Sequence, residues 1–361
     1  MISVKAAFSH SYASARKRFF DAAQANGLEV ESHKHRMPGR DQETLAMDVV
    51  LDGPPDADRL LILSSGVHGV EGFCGSGVQV FALHDEEFHA RARERGVAVL
   101  YIHAVNPYGF SYIRRVTHEN VDLNRNFCDF SQALPINVGY RALHPLLLPK
   151  SWPPTLGNKA KIAWLLLSQG KRAVQAAVSA GQYEFSDGLF FGGTEPTWSN
   201  QTLRTVVRKY AAQARHIAWI DIHTGLGPSG KGERILSARD DRQGLADAKN
   251  LWGDNVTSFF QDSSVSASVN GAMLETIRYE CAQADFNAIT IEYGTCPLKE
   301  VLQAMRAEQW LQKNPRTSAR KAQAIKRQML DAFFIDADAW KEQVVAQARE
   351  ALLQSVAGIG A

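Results

Sequence analysis

Four short runs of apolar residues divide the chain, and each has the length of a strand that is buried on both faces. Stretches with apolar residues at helical spacing lie before and between these runs, and Ser199 is the expected N-cap of one of them. Strands that alternate with helices predict an α/β fold with a mostly parallel or mixed twisted sheet and helices on both faces. The expected strands are 60–63, 97–102, 216–222 and 288–291, and the expected helices are 12–26, 75–83, 199–214 and 298–312.

The segment 131–200 breaks this alternation and indicates an insertion. Prolines punctuate its first half, and the alanine-rich stretch 159–180 has helical spacing. We expect a helical and loop insertion that packs on a single domain spanning 1–361, because one large α/β domain with insertions can reach this length. The C-terminal segment 318–355 is typical of two helices.

The composition argues against several classes of protein. A formal net charge of +2 gives no basis for nucleic-acid binding. The N-terminus lacks the pattern of a signal peptide, and no apolar run approaches the roughly 20 residues needed to span a bilayer. The four cysteines form no C-x-x-C pair, so we expect reduced thiols and a cytoplasmic location. Neither a nucleic acid nor a membrane is an expected partner, and the pattern does not indicate an oligomeric state.

Residues with metal-binding chemistry follow the first and third predicted strands. His68 and Glu71 lie three residues apart in the glycine-rich turn 64–72, so both side chains can reach one ion. Imidazole and carboxylate ligands suit zinc. His223 follows the third strand as a third ligand, which leaves one position for water, as in catalytic zinc sites. Because ligands of open α/β sheets bind at the carboxyl ends of the strands, we expect these residues to meet there.

Glu292, at the end of the fourth predicted strand, is the candidate general base. A carboxylate at the mouth of a buried strand is costly unless it has a partner or a task. Its expected task is to take a proton from a water activated by zinc. The alternative interpretation of Glu292 is a salt-bridged strand end, and that of His68 is a structural turn histidine.

A candidate anion-binding group follows the second predicted strand. The Asn-Pro-Tyr-Gly sequence at 106–109 indicates a turn, and Arg115, Asp122, Asn124 and Arg125 come after it. A guanidinium binds a carboxylate with two parallel hydrogen bonds. Two arginines around an aspartate and an asparagine therefore predict a surface that binds a carboxylate.

Together these elements resemble the zinc carboxypeptidase superfamily, which includes the aspartoacylase and succinylglutamate desuccinylase branch. That superfamily shows His-x-x-Glu, Asn-Pro-x-Gly, Arg ahead of Asp-x-Asn-Arg, a distant His and a Glu. This chain presents the five elements in that order between residues 68 and 292. The most similar branch is a group of bacterial carboxypeptidase-like proteins without an assigned function.

The resemblance implies a role for each matching residue. Arg115 stands ten residues before Arg125, a spacing similar to that of bacterial relatives, although the neighbouring Arg114 competes for its role. Asp122 corresponds to a carboxylate that orients the first histidine ligand. The other implied roles are one zinc ion held by His68, Glu71 and His223, a general base and acid at Glu292, an oxyanion-stabilising Arg115, and a substrate carboxylate bound by Asn124 and Arg125.

The chain also departs from the digestive carboxypeptidases, which carry a mobile tyrosine before the catalytic glutamate. The comparable place reads Ser-Val-Asn-Gly at 268–271, and neither Tyr279 nor Tyr293 is a clean match. The sequence around Glu292 looks closer to the deacylases, and the insertion lengthens the path to His223. We therefore expect a zinc hydrolase that cleaves an amide bond in a small peptide with a free carboxylate. The alternatives are an N-acyl amino acid deacylase and a non-catalytic zinc protein that binds a carboxylate-bearing ligand.

Overall fold

The computed structural model describes residues 2–237, 241–258, 264 and 269–360 of the chain. Within these residues the strands are β1 (Glu31–Pro38), β2 (Thr44–Asp52), β3 (Arg59–Ser65), β4 (Val97–His103), β5 (His216–Ser229), β6 (Gly232–Leu236), β7 (Val256–Thr257) and β8 (Asp285–Gly294). They form one sheet in the order β1-β2-β4-β3-β5-β8-β6-β7.

The α-helices surround this sheet and alternate with its central strands. Short 3₁₀ helices occur at Gly69–Glu71, Leu123–Arg125 and Met273–Glu275. The described α-helices are α1 (Val4–Ala7), α2 (Tyr12–Ala25), α3 (Gly72–Leu83), α4 (Glu86–Glu94), α5 (Pro107–Ser111), α6 (Val138–Leu147), α7 (Leu156–Gln169), α8 (Lys171–Ser179), α9 (Trp198–Ala211), α10 (Arg242–Trp252), α11 (Thr276–Glu280), α12 (Leu298–Lys313), α13 (Ala319–Phe333) and α14 (Asp338–Gly358).

The four apolar runs of the sequence form the centre of the sheet, as β4, β3, β5 and β8. These strands run parallel to one another. Antiparallel pairing adds β2 and β1 on one side and β6 on the other, so the sheet is mixed. The predicted fold class, an α/β domain with a mostly parallel or mixed sheet, is confirmed.

Alternating residues of the central strands pack on opposite faces of the sheet, which explains why these runs are continuously apolar. On β3, Leu61 and Leu63 belong to a core that includes residues of α2, α3 and α14. Leu60 and Ile62 point to the other face and pack in a second core with residues of α9 and α11. Helices therefore cover both faces, as the sequence predicts.

The expected helices are present, but the predicted N-cap of α9 is wrong. Its cap is Thr197, whose Oγ1 accepts a hydrogen bond from the backbone N–H of Asn200. Ser199 lies within the first turn of the helix instead. Both residues carry a hydroxyl, but Thr197 has the extended backbone that the capping position needs, and the sequence pattern alone does not distinguish them.

Helices α6, α7 and α8 lie in the segment 131–200 and pack against α12 and α13 through a shared apolar cluster. Gly170, with φ of +85°, separates α7 from α8. Arg306 connects α12 to the insertion, because its guanidinium donates hydrogen bonds to the carbonyls of Leu146 and Leu147 and to the side chain of Asn158. The last carbonyls of a helix lack partners within the helix, so a cation that binds them stabilises its end.

The described helices include none that is both long and apolar enough to cross a membrane. All four cysteines are free thiols, and Cys74 and Cys281 are buried. Burial, together with the negative charges of Glu71 and Glu292, raises the pKa of the Cys74 thiol well above its ordinary value. A thiol held neutral in this way is a poor nucleophile, so Cys74 acts as a core residue.

Candidate metal centre and the cavity beside it

The parallel register of the central strands brings polar side chains together at the carboxyl edge of the sheet. His223 of β5 is the direct register partner of Glu292 of β8. Ser64, near the end of β3, is the partner of Asp221 on β5. Register partners on neighbouring strands point to the same face, so these side chains share one side of the sheet.

His68 and Glu71 reach this edge because two loops approach each other at glycines. The backbone N–H groups of Gly69 and Val70 donate to the carbonyls of Arg115 and Arg114. A Cβ on Gly69 would lie 2.0 Å from the carbonyl carbon of Gly109, so only glycine fits there. The glycine after His68 and the glycine of the Asn-Pro-Tyr-Gly turn therefore serve one purpose, which is this close contact.

His68, Glu71 and His223 form a compact group of potential metal ligands. One donor atom from each lies within 4.8 Å of the other two, and all three side chains are buried. Nδ1 of His68 is 2.9 Å from Oε1 of Glu71, and Nδ1 of His223 is 3.2 Å from Oε2. The contact between Nδ1 of His68 and Glu71 lacks hydrogen-bond geometry, so this buried nitrogen has no hydrogen-bond partner in the described residues, which suits an atom that binds a cation.

Two aspartates fix the orientation of the histidines. Oδ1 of Asp122 lies 3.1 Å from Nε2 of His68, and Oδ2 of Asp221 lies 2.6 Å from Nε2 of His223. Each imidazole therefore directs Nδ1 toward Glu71, as metal-binding histidines do when a carboxylate holds the other nitrogen. Sequence analysis identified Asp122 but missed Asp221. The available signal was the spacing of Asp221 and His223, which lie two apart on one strand and so share a face.

The charges of this group stabilise one another. Burial alone would raise the pKa of Glu71, but His68 and His223 hold it below its ordinary value. Burial alone would lower the pKa of His223, and the carboxylates of Asp221 and Glu71 instead raise it well above its ordinary value. Metal ligands bind in deprotonated form, so a cation bound here would have to displace a proton from His223.

Arg115, rather than Arg114, faces the potential metal ligands. Its Nε donates to Oδ2 of Asp122 at 2.9 Å and its Nη1 to Oε1 of Glu71 at 3.2 Å. Burial alone would raise the pKa of Asp122, but Arg115 and other cationic neighbours hold it well below its ordinary value. Arg114 is turned away and is buried against Glu308, with 3.0 Å between Nε and Oε1.

Asn124 and Arg125 line the same cavity as the histidines. Three N–H groups of Arg125 donate to backbone carbonyls, two to Ser179 at the end of α8 and one to Asn124. A guanidinium has five N–H donors, so two of them make no hydrogen bond to the described residues, although Nη1 also lies 3.8 Å from Oδ1 of Asp122. The side-chain oxygen of Asn124 accepts from the backbone N–H of Met273 at 2.8 Å, which directs its amide nitrogen elsewhere.

Glu292 is buried beside the ligand group and accepts a hydrogen bond from the backbone N–H of Leu226 at 3.0 Å. Burial, reinforced by the negative charge of Glu71, raises the pKa of Glu292 to about 8. A bound cation would oppose that shift. A carboxyl group whose pKa lies near neutrality is suited to accept and return a proton.

A cavity of about 620 Å³ contains this site. His68, Arg115, His223 and Glu292 form a polar part of its wall. Much of the remaining wall is apolar and comes from α6, α7, α8 and α12. Helices of the 131–200 segment thus border the space next to the potential metal ligands.

The described residues do not place a tyrosine in the wall of this cavity. Tyr279 is 68% exposed, and the buried hydroxyl of Tyr293 donates to the carbonyl of Val344. At 268–271 the sequence lacks the tyrosine of digestive carboxypeptidases. Ser268 of this segment lies outside the described residues. The remaining part of that segment brings Val269 to the cavity wall.

Comparison with solved structures identifies similar folds at low sequence identity. The structure of bovine thrombin-activatable fibrinolysis inhibitor, in complex with tick carboxypeptidase inhibitor, has a TM-score of 0.53 and 11% identity, with 96% of each chain covered. Carboxypeptidase A of Helicoverpa armigera has a TM-score of 0.44 and 12% identity, covering 90% of this chain and 74% of that one. The first similarity shows a metallocarboxypeptidase-like fold.

Sequence comparison assigns the chain to a family. A search of curated protein sequences finds no significant match. The family model described as "Protein of unknown function (DUF2817)" matches residues 8–347. Because that match covers nearly the whole chain, this protein belongs to the DUF2817 family, and it has the mixed α/β fold of the metallocarboxypeptidases.

Proposed function

We propose that this protein is a cytoplasmic zinc-dependent hydrolase that cleaves an amide bond in a small substrate with a free carboxylate. The observation that carries the proposal is the convergence of His68, Glu71 and His223 on one point, with Glu292 on the adjacent strand. Three protein ligands with an open fourth position are typical of catalytic rather than structural zinc sites. The reaction type that we favour is that of a metallocarboxypeptidase.

The chemistry of the donor atoms supports zinc as the metal. Two imidazole nitrogens and one carboxylate are the ligand types that zinc prefers, and Asp122 and Asp221 hold both rings with Nδ1 directed toward Glu71, where the ion would bind. A bound zinc ion supplies a Lewis acid at this position. We propose one ion per chain.

In the proposed reaction Glu292 transfers the protons. Its carboxylate takes a proton from the attacking water and returns it to the nitrogen of the leaving amine, so the amide bond breaks as a new C–O bond forms. Its backbone hydrogen bond from Leu226 holds the carboxylate at the cavity wall. Burial raises the pKa of the Glu292 carboxyl, and a bound cation would lower it again toward a value at which the carboxylate can act as a base.

The arginines and Asn124 position the substrate in this proposal. Arg115 stands next to Glu71 and stabilises the negative oxygen that develops on the scissile carbonyl, a contribution often worth about 3 kcal/mol. Arg125, two of whose N–H donors have no hydrogen-bond partner in the described part of the chain, and the amide of Asn124 bind the substrate carboxylate. These contacts fix which amide bond lies at the metal.

The cavity wall favours a second candidate, an N-acyl amino acid deacylase that uses the same groups. Helices α6, α7 and α8 line the space beside the ligands, where an extended peptide would need room. The two candidates differ in the acyl side of the amide, which is a peptide in one and a simple acyl group in the other.

The proposal is tested by amine release from a panel of substrates on the zinc-loaded protein. The panel holds short peptides with free or amidated C-termini, and N-acyl amino acids. Cleavage of free-C-terminus peptides alone identifies a carboxypeptidase, and cleavage of N-acyl amino acids alone identifies a deacylase. Zinc loading without cleavage of any amide supports the third possibility, a non-catalytic protein that binds a carboxylate-bearing ligand.

Two variants connect any activity to the proposed residues. Glu292→Gln keeps the side-chain oxygen that faces Leu226 and should retain zinc while losing nearly all turnover. Glu300→Gln, at an exposed position of α12 outside the cavity wall, is its matched control and should be fully active.

His223→Ala should lose zinc on dialysis, and full zinc retention would remove His223 from the ligand set.

A further inference from the structure

We propose that the cavity beside the metal centre binds a linear aliphatic chain, so that the substrate is the long-chain acyl amide of an amino acid. This inference rests on the proposed hydrolase function, because it assigns the acyl side of the amide to that cavity. It goes further in naming the chemistry of the acyl group, which is a hydrocarbon rather than a peptide.

The wall contributed by the insertion is the first observation. Leu143 and Leu147 on α6, Ile162 and Leu166 on α7, and Val174 and Val178 on α8 face the cavity. Branched aliphatic side chains from three successive helices therefore line the same space. Such a surface gains from contact with methylene groups and offers no hydrogen bonds to a ligand.

Helix α12 supplies an apolar wall of the same kind. Leu298, Val301 and Leu302 line the cavity along successive positions of this helix. Val301 belongs to the apolar cluster that joins α12 to the insertion. The apolar part of the cavity therefore lies between α12 and the insertion, where the side chains of Gln175 and Gln303 also line it.

The buried cation in this wall is already occupied. Arg306 lines the cavity, but its guanidinium donates to two carbonyls of α6, to Asn158 and to Gln303. The extended acyl side of a peptide would bring amide N–H and C=O groups against the leucine, isoleucine and valine side chains of this wall, which offer them no hydrogen bonds. Each unmatched buried amide weakens binding by about tenfold or more, whereas a hydrocarbon chain has no such groups.

The size and opening of the cavity suit a chain of this kind. Its volume of about 620 Å³ lies within the range of pockets that enclose an organic ligand. Lys171 and Lys299 line the same space and are exposed, so the cavity reaches the surface near them. An aliphatic chain can therefore extend from the metal centre through the apolar part of the cavity.

Binding of straight-chain carboxylates to the zinc-loaded wild-type protein tests the proposal without any catalytic step. Butanoate, octanoate and dodecanoate are the probes, and titration calorimetry gives the dissociation constants. Each added methylene should tighten binding by about twofold to fourfold, so dodecanoate, with eight more methylenes, should bind at least about 100-fold tighter than butanoate. Equal affinities for butanoate and dodecanoate would overturn the proposal.

Two neighbouring leucines on α7 provide a matched pair of variants. Leu166 lines the cavity, whereas Leu167 is 86% exposed and lies outside its wall. Leu166→Glu should weaken dodecanoate binding by at least about tenfold and leave butanoate unchanged, and Leu167→Glu should change neither. Leu302→Glu repeats the test from α12 in case α7 unfolds. Equal effects of the changes at 166 and 167 would show that the chain binds elsewhere.

Hydrolysis assays on the same wild-type protein separate this inference from the proposed function. Cleavage of dodecanoyl amino acids in preference to acetyl amino acids and to peptides of matched length supports both. Cleavage that prefers peptides retains the hydrolase and overturns the aliphatic chain. Chain-length-dependent binding without cleavage of any amide leaves the apolar pocket intact and refutes the hydrolase.

Discussion

Replacement of Asp221 tests whether the carboxylate behind His223 controls metal affinity. Oδ2 of Asp221 lies 2.6 Å from Nε2 of His223, and Oδ1 accepts a hydrogen bond from the hydroxyl group of Ser64 at 2.6 Å. Ser64 in turn accepts a hydrogen bond from the indole of Trp219. The aspartate is thus fixed on both sides, and Asp221→Asn changes its charge while preserving its shape.

The expected loss of zinc affinity depends on which interactions the asparagine retains. Its side-chain oxygen can still accept a hydrogen bond from His223, but hydrogen bonds to neutral acceptors have about half the strength of those to a carboxylate. Removing the outer partner of a metal-binding histidine typically lowers metal affinity by 10- to 100-fold. We expect a loss of about tenfold for Asp221→Asn, which corresponds to about 1.4 kcal/mol, and a loss nearer 100-fold for Asp221→Ala.

Competition with a zinc chelator measures the dissociation constants, and thermal unfolding of the metal-free proteins reports whether the fold is intact. Ser64→Ala is the control, because it removes one hydrogen bond to Asp221 and leaves its charge beside His223. This variant should lose less than about threefold in zinc affinity. Unchanged zinc affinity in a well-folded Asp221→Asn protein would show that Asp221 does not tune the metal.

Three further substitutions address stability, each measured as the free energy of unfolding in denaturant. Burial alone would lower the pKa of His89, but its hydrogen bond with Asp52 raises it. The stabilisation by this ion pair is therefore complete below the ordinary pKa of histidine and is lost as the pH rises through the raised pKa. His89→Gln should therefore destabilise the protein more near pH 5.5 than near pH 9, and an equal cost at both pH values would contradict this. Gly69→Ala should cost about 3 kcal/mol, because its Cβ meets the backbone of Gly109. Arg306→Leu should cost about 2–3 kcal/mol, since it leaves helix-terminal carbonyls without their donor, and an unchanged stability would exclude that role.

The central sheet could be predicted because its strands are apolar on both faces, but its edges could not. Strand β1 is partly exposed, and residues such as His33 and Lys34 interrupt its pattern. In β2 the fully buried Asp48 breaks an apolar run, and it is tolerated because Arg16 on α2 binds its carboxylate. A partner 32 residues away along the chain is not visible in the local pattern.

The candidate ligands could be predicted as an ordered set, but the choice between neighbours could not. Arg114 and Arg115 are adjacent and chemically identical, and only the position of Glu308, far along the chain, shows which one turns away. The spacing of Asp221 and His223 on a predicted strand places both side chains on one face, but it does not by itself show that the aspartate holds the histidine ring. The nature of the cavity also depends on how α6, α7 and α8 pack on α12, which no local pattern specifies.

The hydrogen bonds between Arg125 and the end of α8 make the insertion part of the site itself. Two N–H groups of this arginine are held by the carbonyl of Ser179, so the last turn of α8 sets the angle of the guanidinium. A shortened chain that lacks α6, α7 and α8 would keep every potential metal ligand and yet lose the carbonyl that orients the guanidinium of Arg125, the group that we propose binds the substrate carboxylate. Removal of the insertion should therefore impair substrate binding through Arg125 even where the metal ligands are intact.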